Sequence, residues 1–296
     1  MPGWDLNLTV AGDPPSCWWH VGGRRRPSGT DRAPGETAEP AAGSTKHTTA
    51  LLEVRAGGVV AELRRGTRLA PRILGRGAGG TVRAAFVPTQ AGPLAGDHDA
   101  ARIVVGPGAT LVVEPVAATL ALPGAELTTS QLEVTVAAGG RLVLDEGPLI
   151  VAAGAAVQRR CTIELADGAV AALRETLVLG RDGEAPGTLD SSLRVTAGAR
   201  PLLHDGLRFS AAPAIADAHV ALAPGERVVC TISLLGVRPR AADGVLMLEG
   251  PGGLMRATGR SLAAVDGDVE ARWRSWSRAA ADGGVGAGAR APLPAR

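Results

Sequence analysis

Asp97, His98 and Asp99 place three side chains of metal-ligating type at consecutive positions of the sequence. Two carboxylates and an imidazole offer oxygen and nitrogen ligands that could hold Ni²⁺ or Zn²⁺ weakly. The cluster lacks the further ligands of a closed metal site, and its position directly after Gly96 also fits a solvated turn. We therefore treat His98 as a possible weak metal contact and predict no tightly bound cofactor.

A second group of charges surrounds a break in the chain after the apolar run Leu177–Leu179. Glu175 precedes this run, and Arg181 and Glu184 follow it among several glycines and a proline. Such a segment is typical of an ordinary β-turn, and it is also typical of a ligand site or a docking surface. Arg181 and Glu184 are therefore candidate partner-interface residues.

Motifs of several enzyme and cofactor classes are missing. The glycine-rich stretch 75–80 is not followed by Gly-Lys-Ser or Gly-Lys-Thr, so it does not form a phosphate-binding loop. The sequence contains no Gly-x-Ser-x-Gly nucleophile elbow and no His-Glu-x-x-His. Cys17, Cys161 and Cys230 are far apart, which excludes a Cys-x-x-Cys zinc or redox pair and fits free thiols in a reducing cytosol. We predict no catalytic residue.

The composition limits the possible partners. The chain has 296 residues, of which 45% are hydrophobic and only 2% aromatic, with no tyrosine. Its core must be built from Val, Leu, Ile and Ala, which suits layered β-structure. The net charge is +2, from interspersed charges, so neither a nucleic-acid nor an anionic membrane surface is indicated. No signal peptide and no transmembrane stretch is recognisable, and we predict a cytoplasmic protein.

A repeated strand–turn–strand unit predicts the fold. Its turn glycines are spaced by 31, 29, 30 and 27 residues, and both arms of the units alternate apolar and polar residues; these glycines are Gly108, Gly139, Gly168, Gly198 and Gly225. A period near 30 residues indicates one supersecondary unit stacked several times. We predict a mainly β protein, a β-helical or stacked-hairpin solenoid of many short strands. The alternative is an antiparallel sandwich.

Four segments are predicted. Residues 1–48 are Pro-, Gly- and charge-rich and form a disordered extension, residues 49–258 the β-helical body, and residues 282–296 a flexible tail. Residues 259–281 form a C-terminal amphipathic helix, capped by Ser261. Its apolar positions follow steps of 3, 4, 4 and 3 residues; they are Leu262, Val265, Val269, Trp273 and Trp276. This stripe packs on the body, and the two tryptophans are also candidate anchors for a partner protein.

Several segments resemble, in order and spacing, the urease accessory protein UreD family, also called UreH. The likeness covers roughly residues 51–278. The resembling segments are Gly92–Asp97, Glu146–Ile150 with Ala153–Ala155, Glu175–Glu184 and the strand around Leu202–Leu207. There are departures. Ala95 stands where the family has the first glycine of Gly-Gly-Asp, and the segment Glu114–Leu120 lacks the family's lysine and aromatic residue.

The resemblance implies a function. It implies a β-helical body with C-terminal helices, and a non-enzymatic scaffold that binds apo-urease, UreF and the GTPase UreG. It also implies help in passing Ni²⁺ to the urease active site. A metal in transit needs weak, exchangeable oxygen ligands, and Asp97 and Glu175 are the carboxylates that match family motifs. The alternatives are a β-solenoid carbohydrate-active enzyme and a generic β-scaffold binding protein.

Overall fold

The computed structural model describes residues 47–210, 222 and 225–282. These residues form sixteen strands, two short 3₁₀ turns and one helix, α1. In chain order the strands and the helix are β1 (Ala50–Arg55), β2 (Val59–Arg64), β3 (Leu69–Arg76), β4 (Val82–Pro88), β5 (His98–Val105), β6 (Thr110–Val113), β7 (Thr119–Ala121), β8 (Thr128–Val136), β9 (Arg141–Val151), β10 (Ala156–Leu165), β11 (Val170–Leu179), β12 (Thr188–Ala197), β13 (Arg200–Phe209), β14 (Val228–Leu235), β15 (Val245–Met247), β16 (Gly252–Gly259) and α1 (Leu262–Asp282).

The strands form two sheets between which the chain alternates. Sheet A has the order β13-β12-β10-β8-β5-β1-β2, and sheet B the order β15-β16-β14-β11-β9-β6-β4-β3, with β7 also beside β9. The central strands pair in parallel with strands one coil away, whereas the strands at the sheet ends pair antiparallel. This is a β-helical solenoid, and the predicted mainly β, solenoidal fold with a C-terminal helix is confirmed.

The repeat units differ in one respect from a stack of hairpins. The two arms of the unit at Gly108 are β5 in sheet A and β6 in sheet B, so they do not pair with each other. The same holds at Gly139 and Gly168, whereas Gly198 joins the antiparallel partners β12 and β13. Each of the first three turns therefore leads the chain from one sheet to the other.

The turn glycines adopt a left-handed backbone conformation that favours glycine. Gly108, Gly139, Gly168 and Gly198 have φ of 64°, 65°, 68° and 59°, a region that residues with a Cβ adopt at a cost. Successive turns also bond to each other. The Gly108 amide donates to the Ala138 carbonyl at 3.1 Å, and the Gly139 amide donates to the Asp167 carbonyl at 3.0 Å. The period in the sequence thus corresponds to turns stacked along the solenoid.

Two apolar layers hold the fold together. The first lies between the sheets and is built from aliphatic side chains, among them Leu52, Ile103, Leu111, Leu142 and Ile163. The second lies on the outer face of sheet B, where α1 covers side chains of β9, β11 and β14. The composition predicted an aliphatic core of this kind, since the chain has few aromatic residues.

Helix α1 agrees with its sequence pattern. The Ala264 amide donates to the Ser261 hydroxyl at 3.3 Å, which is the predicted N-cap. The predicted apolar stripe packs on sheet B, with Val265, Val269, Trp273 and Trp276 all buried. The helix is not long and apolar enough to cross a membrane, and it is the only α-helix in the described residues. The predicted disordered extension and flexible tail lie outside the described residues, except for residues 47, 48 and 282.

Candidate functional site

Four polar side chains form a row across the inner face of sheet A. Asp99, Ser130, Arg159 and Ser191 occupy one register position on β5, β8, β10 and β12. Because strand side chains alternate between faces, they share the face of the core residues two positions further along each strand. We call these four residues the interior polar row; it runs along the solenoid between the two sheets.

Sheet B contributes two carboxylates opposite this row. On β9, Asp145 pairs with Arg174 of β11 and Pro148 pairs with Thr176, so Glu146 and Gly147 together oppose Glu175 alone. Two residues against one is a β-bulge, a feature that commonly redirects a side chain. Gly147 has φ 78°, and its amide donates to the Asp145 carboxylate at 2.9 Å. The bulge brings Glu146 and Glu175 to the same guanidinium.

That guanidinium belongs to Arg159, whose side chain is only 10% exposed. Arg159 Nη2 donates to Glu146 Oε1 at 2.7 Å, and its Nη1 donates to Glu175 Oε1. The Ser191 hydroxyl also donates to Glu175 Oε1, at 2.9 Å. Burial acts to lower the pKa of Arg159, but the charges of Glu146 and Glu175 outweigh burial and raise it. The group is therefore an ion cluster of two carboxylates held on one buried guanidinium.

A cavity of about 150 Å³ surrounds this cluster. Such a volume has room for several water molecules, since each takes about 30 Å³ in the liquid. Five acidic residues are among those that line it, namely Asp99, Glu114, Asp145, Glu146 and Glu175, together with Thr119, Thr128 and Ser130. The Asp145 carboxylate pairs with Arg174, which also bonds Glu270 of α1 on the outer face of sheet B. Burial raises the pKa of the carboxyl groups of Asp99 and Asp145. The cavity is thus acidic and rich in oxygen ligands.

The consecutive residues Asp97, His98 and Asp99 do not converge on one point. Arg68 lies between the two carboxylates, with its Nη1 2.9 Å from Asp97 Oδ2 and its Nε donating to Asp99 Oδ1 at 2.7 Å. The Leu94 amide donates to Asp97 Oδ2 at 2.6 Å, which closes the preceding turn. His98 Nδ1 instead hydrogen-bonds the Thr129 hydroxyl at 2.6 Å.

These contacts separate the two carboxylates chosen from the sequence. Glu175 lines the cavity, whereas Asp97 is not among its lining residues. Metal contact by Asp97, His98 or Glu175 stays a prediction. Within the described ranges, no group of three or more His, Cys, Asp or Glu side chains is arranged to hold a metal ion.

The predicted interface residues Arg181 and Glu184 form an ordered turn after β11. Arg181 Nε donates to Glu184 Oε1 at 2.7 Å, and Arg227 donates to the carbonyls of Arg181 and Glu184 at 2.7 and 2.9 Å. The hydrogen bond from Arg181 lowers the pKa of Glu184 to about 2. The Arg181 side chain is half exposed. Contact of this turn with a partner stays a prediction.

Trp273 and Trp276 are core residues of the isolated chain. Their exposures are 8% and 3%, and both pack between α1 and sheet B. Trp273 also borders an open groove beside Glu114 and Asp145. A role for either tryptophan as a partner anchor stays a prediction.

Sequence reasoning missed Arg159, although a signal for it exists. Asp99, Ser130 and Arg159 each precede a turn glycine of the repeat by 9 residues, the glycines being Gly108, Gly139 and Gly168. A polar residue at one position of successive repeats, within otherwise apolar alternation, would have revealed the interior polar row.

Comparison with known proteins shows the family of this chain. Residues 52–287 match the model of the family described as UreD urease accessory protein. The chain is 36% identical to Urease accessory protein UreD 1 of Streptomyces griseus subsp. griseus, over 73% of this chain and 84% of the relative. It is 37% identical to Urease accessory protein UreD of Parafrankia sp., over 70% and 80%. It is 33% identical to Urease accessory protein UreD 2 of Saccharopolyspora erythraea, over 79% and 91%. With most of its length matched in this way, the chain belongs to the UreD family of urease accessory proteins.

Proposed function

We propose that this chain is a non-enzymatic, cytoplasmic scaffold of urease maturation. It binds apo-urease together with UreF and the GTPase UreG, and it helps to deliver Ni²⁺ to the urease active site. Membership of the UreD family supports the role in urease maturation. It gives no corresponding support to the two alternatives, a carbohydrate-active solenoid enzyme and a generic binding protein.

The acidic cavity is the observation that supports a role in nickel passage. Its carboxylates and hydroxyl groups are hard oxygen ligands, which bind Ni²⁺ less firmly than imidazole or thiolate groups do. A cation in transit needs ligands of this kind, because a tight site would retain it. Glu175 lines the cavity and accepts hydrogen bonds from two side chains of sheet A. We therefore propose Glu175 as the principal carboxylate of the path.

Two surfaces are proposed for partner contact. The turn at Arg181 and Glu184 is ordered by its own ion pair and by Arg227, so a partner would meet a preformed shape. The groove beside Trp273 combines an aromatic wall with the carboxylates of Glu114 and Asp145. A rigid surface of either type lowers the entropy cost of association.

Coexpression with urease and its other accessory proteins tests this function. We expect nickel per urease active site to be high with the chain present and low without it. We also expect tagged UreF to retain the chain on a column. Full nickel loading without the chain would contradict the delivery role, and failure to co-purify with UreF or apo-urease would contradict the scaffold role.

A further inference from the structure

Every acidic residue among those that line the cavity has an arginine partner. Asp99 pairs with Arg68, Glu114 with Arg83 and Asp145 with Arg174, at 2.7, 2.7 and 3.9 Å. Glu146 and Glu175 share Arg159. Among the described residues, Arg159 is thus the one arginine that serves two cavity carboxylates. Those two carboxylates come from neighbouring strands of sheet B and meet at a single guanidinium.

The position that Arg159 occupies is one that would suit a divalent cation. Two converging carboxylates with the Ser191 hydroxyl beside them are oxygen donors of the type that divalent ions bind. The guanidinium supplies a positive charge and fills the space between the carboxylates. The three groups carry a net charge of −1 together, so the cavity still attracts a cation without offering it a free pair of carboxylates.

We propose that Arg159 is a built-in counter-ion that keeps Glu146 and Glu175 from trapping a divalent cation. The guanidinium lowers the affinity of these two carboxylates for the cation, and the cation can therefore leave them. This inference rests on the proposed function, because it assumes that a cation enters the cavity. In this role Arg159 sets the affinity of its neighbours and is not itself a ligand.

The structure holds Arg159 firmly enough for this role. Its strand β10 pairs with β8 on one side and β12 on the other over nine and ten residues. Its side chain is 10% exposed and bonds to groups on both sheets, with Ser191 Oγ 3.4 Å from Nη1. A guanidinium cannot lose its proton at physiological pH, so the counter-ion is permanent. An imidazole or amine at this position would titrate and would lack the planar fork.

Nickel titration of the isolated full chain tests the inference directly. Nickel sulfate is titrated calorimetrically into wild type and Arg159→Gln, after circular dichroism has confirmed the strand spectrum of each. We expect Arg159→Gln to bind Ni²⁺ about tenfold or more tightly, because the unit charge removed lies within hydrogen-bond distance of both carboxylates. Adding Glu146→Gln and Glu175→Gln should abolish the gain. Arg208→Gln, which removes an arginine from an exposed pair with Asp190, serves as the matched control.

A gain in affinity is an outcome that a purely structural role would not produce. Unchanged nickel affinity in a folded Arg159→Gln variant would overturn the inference, as would a gain that survives in the triple variant. If Arg159→Gln loses its fold, the nickel affinity of the double variant Glu146→Gln/Arg159→Gln is measured in its place. The double variant restores the net charge of the cluster and leaves Glu175 without its guanidinium. Loss of fold in both variants would assign Arg159 to stability alone.

The same samples separate this inference from the proposed function. In coexpression we expect Arg159→Gln to deliver less nickel to urease than wild type, although it binds the ion more tightly. If wild type supports nickel loading and the affinity of the variant is unchanged, only the counter-ion role fails. If wild type does not support loading, the proposed function fails, whatever the titration shows.

Discussion

Replacement of Glu175 by Gln tests both the interior ion cluster and the cation path. The carboxylate accepts hydrogen bonds from Arg159 and Ser191, and its side chain is 16% exposed. Gln keeps an acceptor oxygen but loses the charge. A hydrogen bond to a charged group contributes about 1.5–3 kcal/mol, and Arg159 retains its bond to Glu146 at 2.7 Å. We therefore expect the free energy of unfolding to fall by about 1.5–3 kcal/mol.

Urea denaturation followed by circular dichroism measures this loss. A domain of this kind has a total stability of about 5–15 kcal/mol, so the variant should remain folded. Asp190→Asn is the matched control, because Asp190 pairs with the 82%-exposed Arg208 and exposed pairs contribute about 0–1 kcal/mol. Nickel per urease active site, measured after coexpression, should fall in Glu175→Gln and stay normal in Asp190→Asn.

Two results would refute this reasoning. Wild-type stability in Glu175→Gln would show that the ion cluster contributes little to the fold. A destabilised variant that still loads urease with nickel would show that Glu175 is structural and lies outside the path. Asp97→Asn gives a useful comparison, because Asp97 closes a turn with Arg68 and Leu94. If it also prevents loading while complex formation is retained, the path extends beyond the cavity lining.

Three further predictions concern the scaffold. Trp276→Ala should lower the free energy of unfolding by about 3–5 kcal/mol, because this α1 residue is 3% exposed and packs against sheet B. A loss below about 1 kcal/mol in urea denaturation would contradict its place in the core. Gly139→Ala should lower the free energy of unfolding by about 1–2 kcal/mol because of its positive φ alone. Gly236→Ala should lower it further, because a Cβ there would lie 2.0 Å from the Ala169 carbonyl oxygen. Equal losses of stability in the two variants would contradict this steric difference. Burial raises the pKa of Asp145 in the folded chain, so this group favours folding below its unfolded pKa and loses that contribution as the pH rises through its folded pKa. The destabilisation caused by Asp145→Asn should therefore shrink as the pH rises above the ordinary aspartate pKa of about 4, and a destabilisation that grows with pH would show the sign to be wrong.

Much of the solenoid was predictable because its turns need one residue type. A glycine with φ near 65° at Gly108, Gly139 and Gly168 leaves a period that is visible without any partner strand. The assignment of the two arms to different sheets was not predictable from that pattern. The sequence pattern of two alternating strands around a glycine turn is the same in a hairpin and in a solenoid coil. Parallel pairing between strands about 30 residues apart gives no additional pattern in the local sequence.

The site was less visible than the fold. Glu175 could be chosen because it lies in a segment that resembles the UreD family. Arg159 could not, because nearly every positive charge in this chain is an arginine, so a single arginine carries little information. The inward turn of Glu146 depends on the bulge opposite Glu175, which exists only once β9 and β11 are paired. Such a feature requires the register of two strands and cannot be read from either one.

The antiparallel strands at the sheet ends have a consequence for assembly. The last strand of a parallel sheet has unpaired amide and carbonyl groups that can pair with a strand of another molecule. An uncapped solenoid is therefore a template for end-to-end polymerisation. Here β2 and β13 reverse direction at the two ends of sheet A. The outermost strand β13 also begins with Arg200 and Pro201, and a proline has no amide to donate to an incoming strand. A chain that lacks β13 alone would leave β12 as an open parallel edge, and it should form filaments under conditions in which the chain that retains β13 stays dispersed.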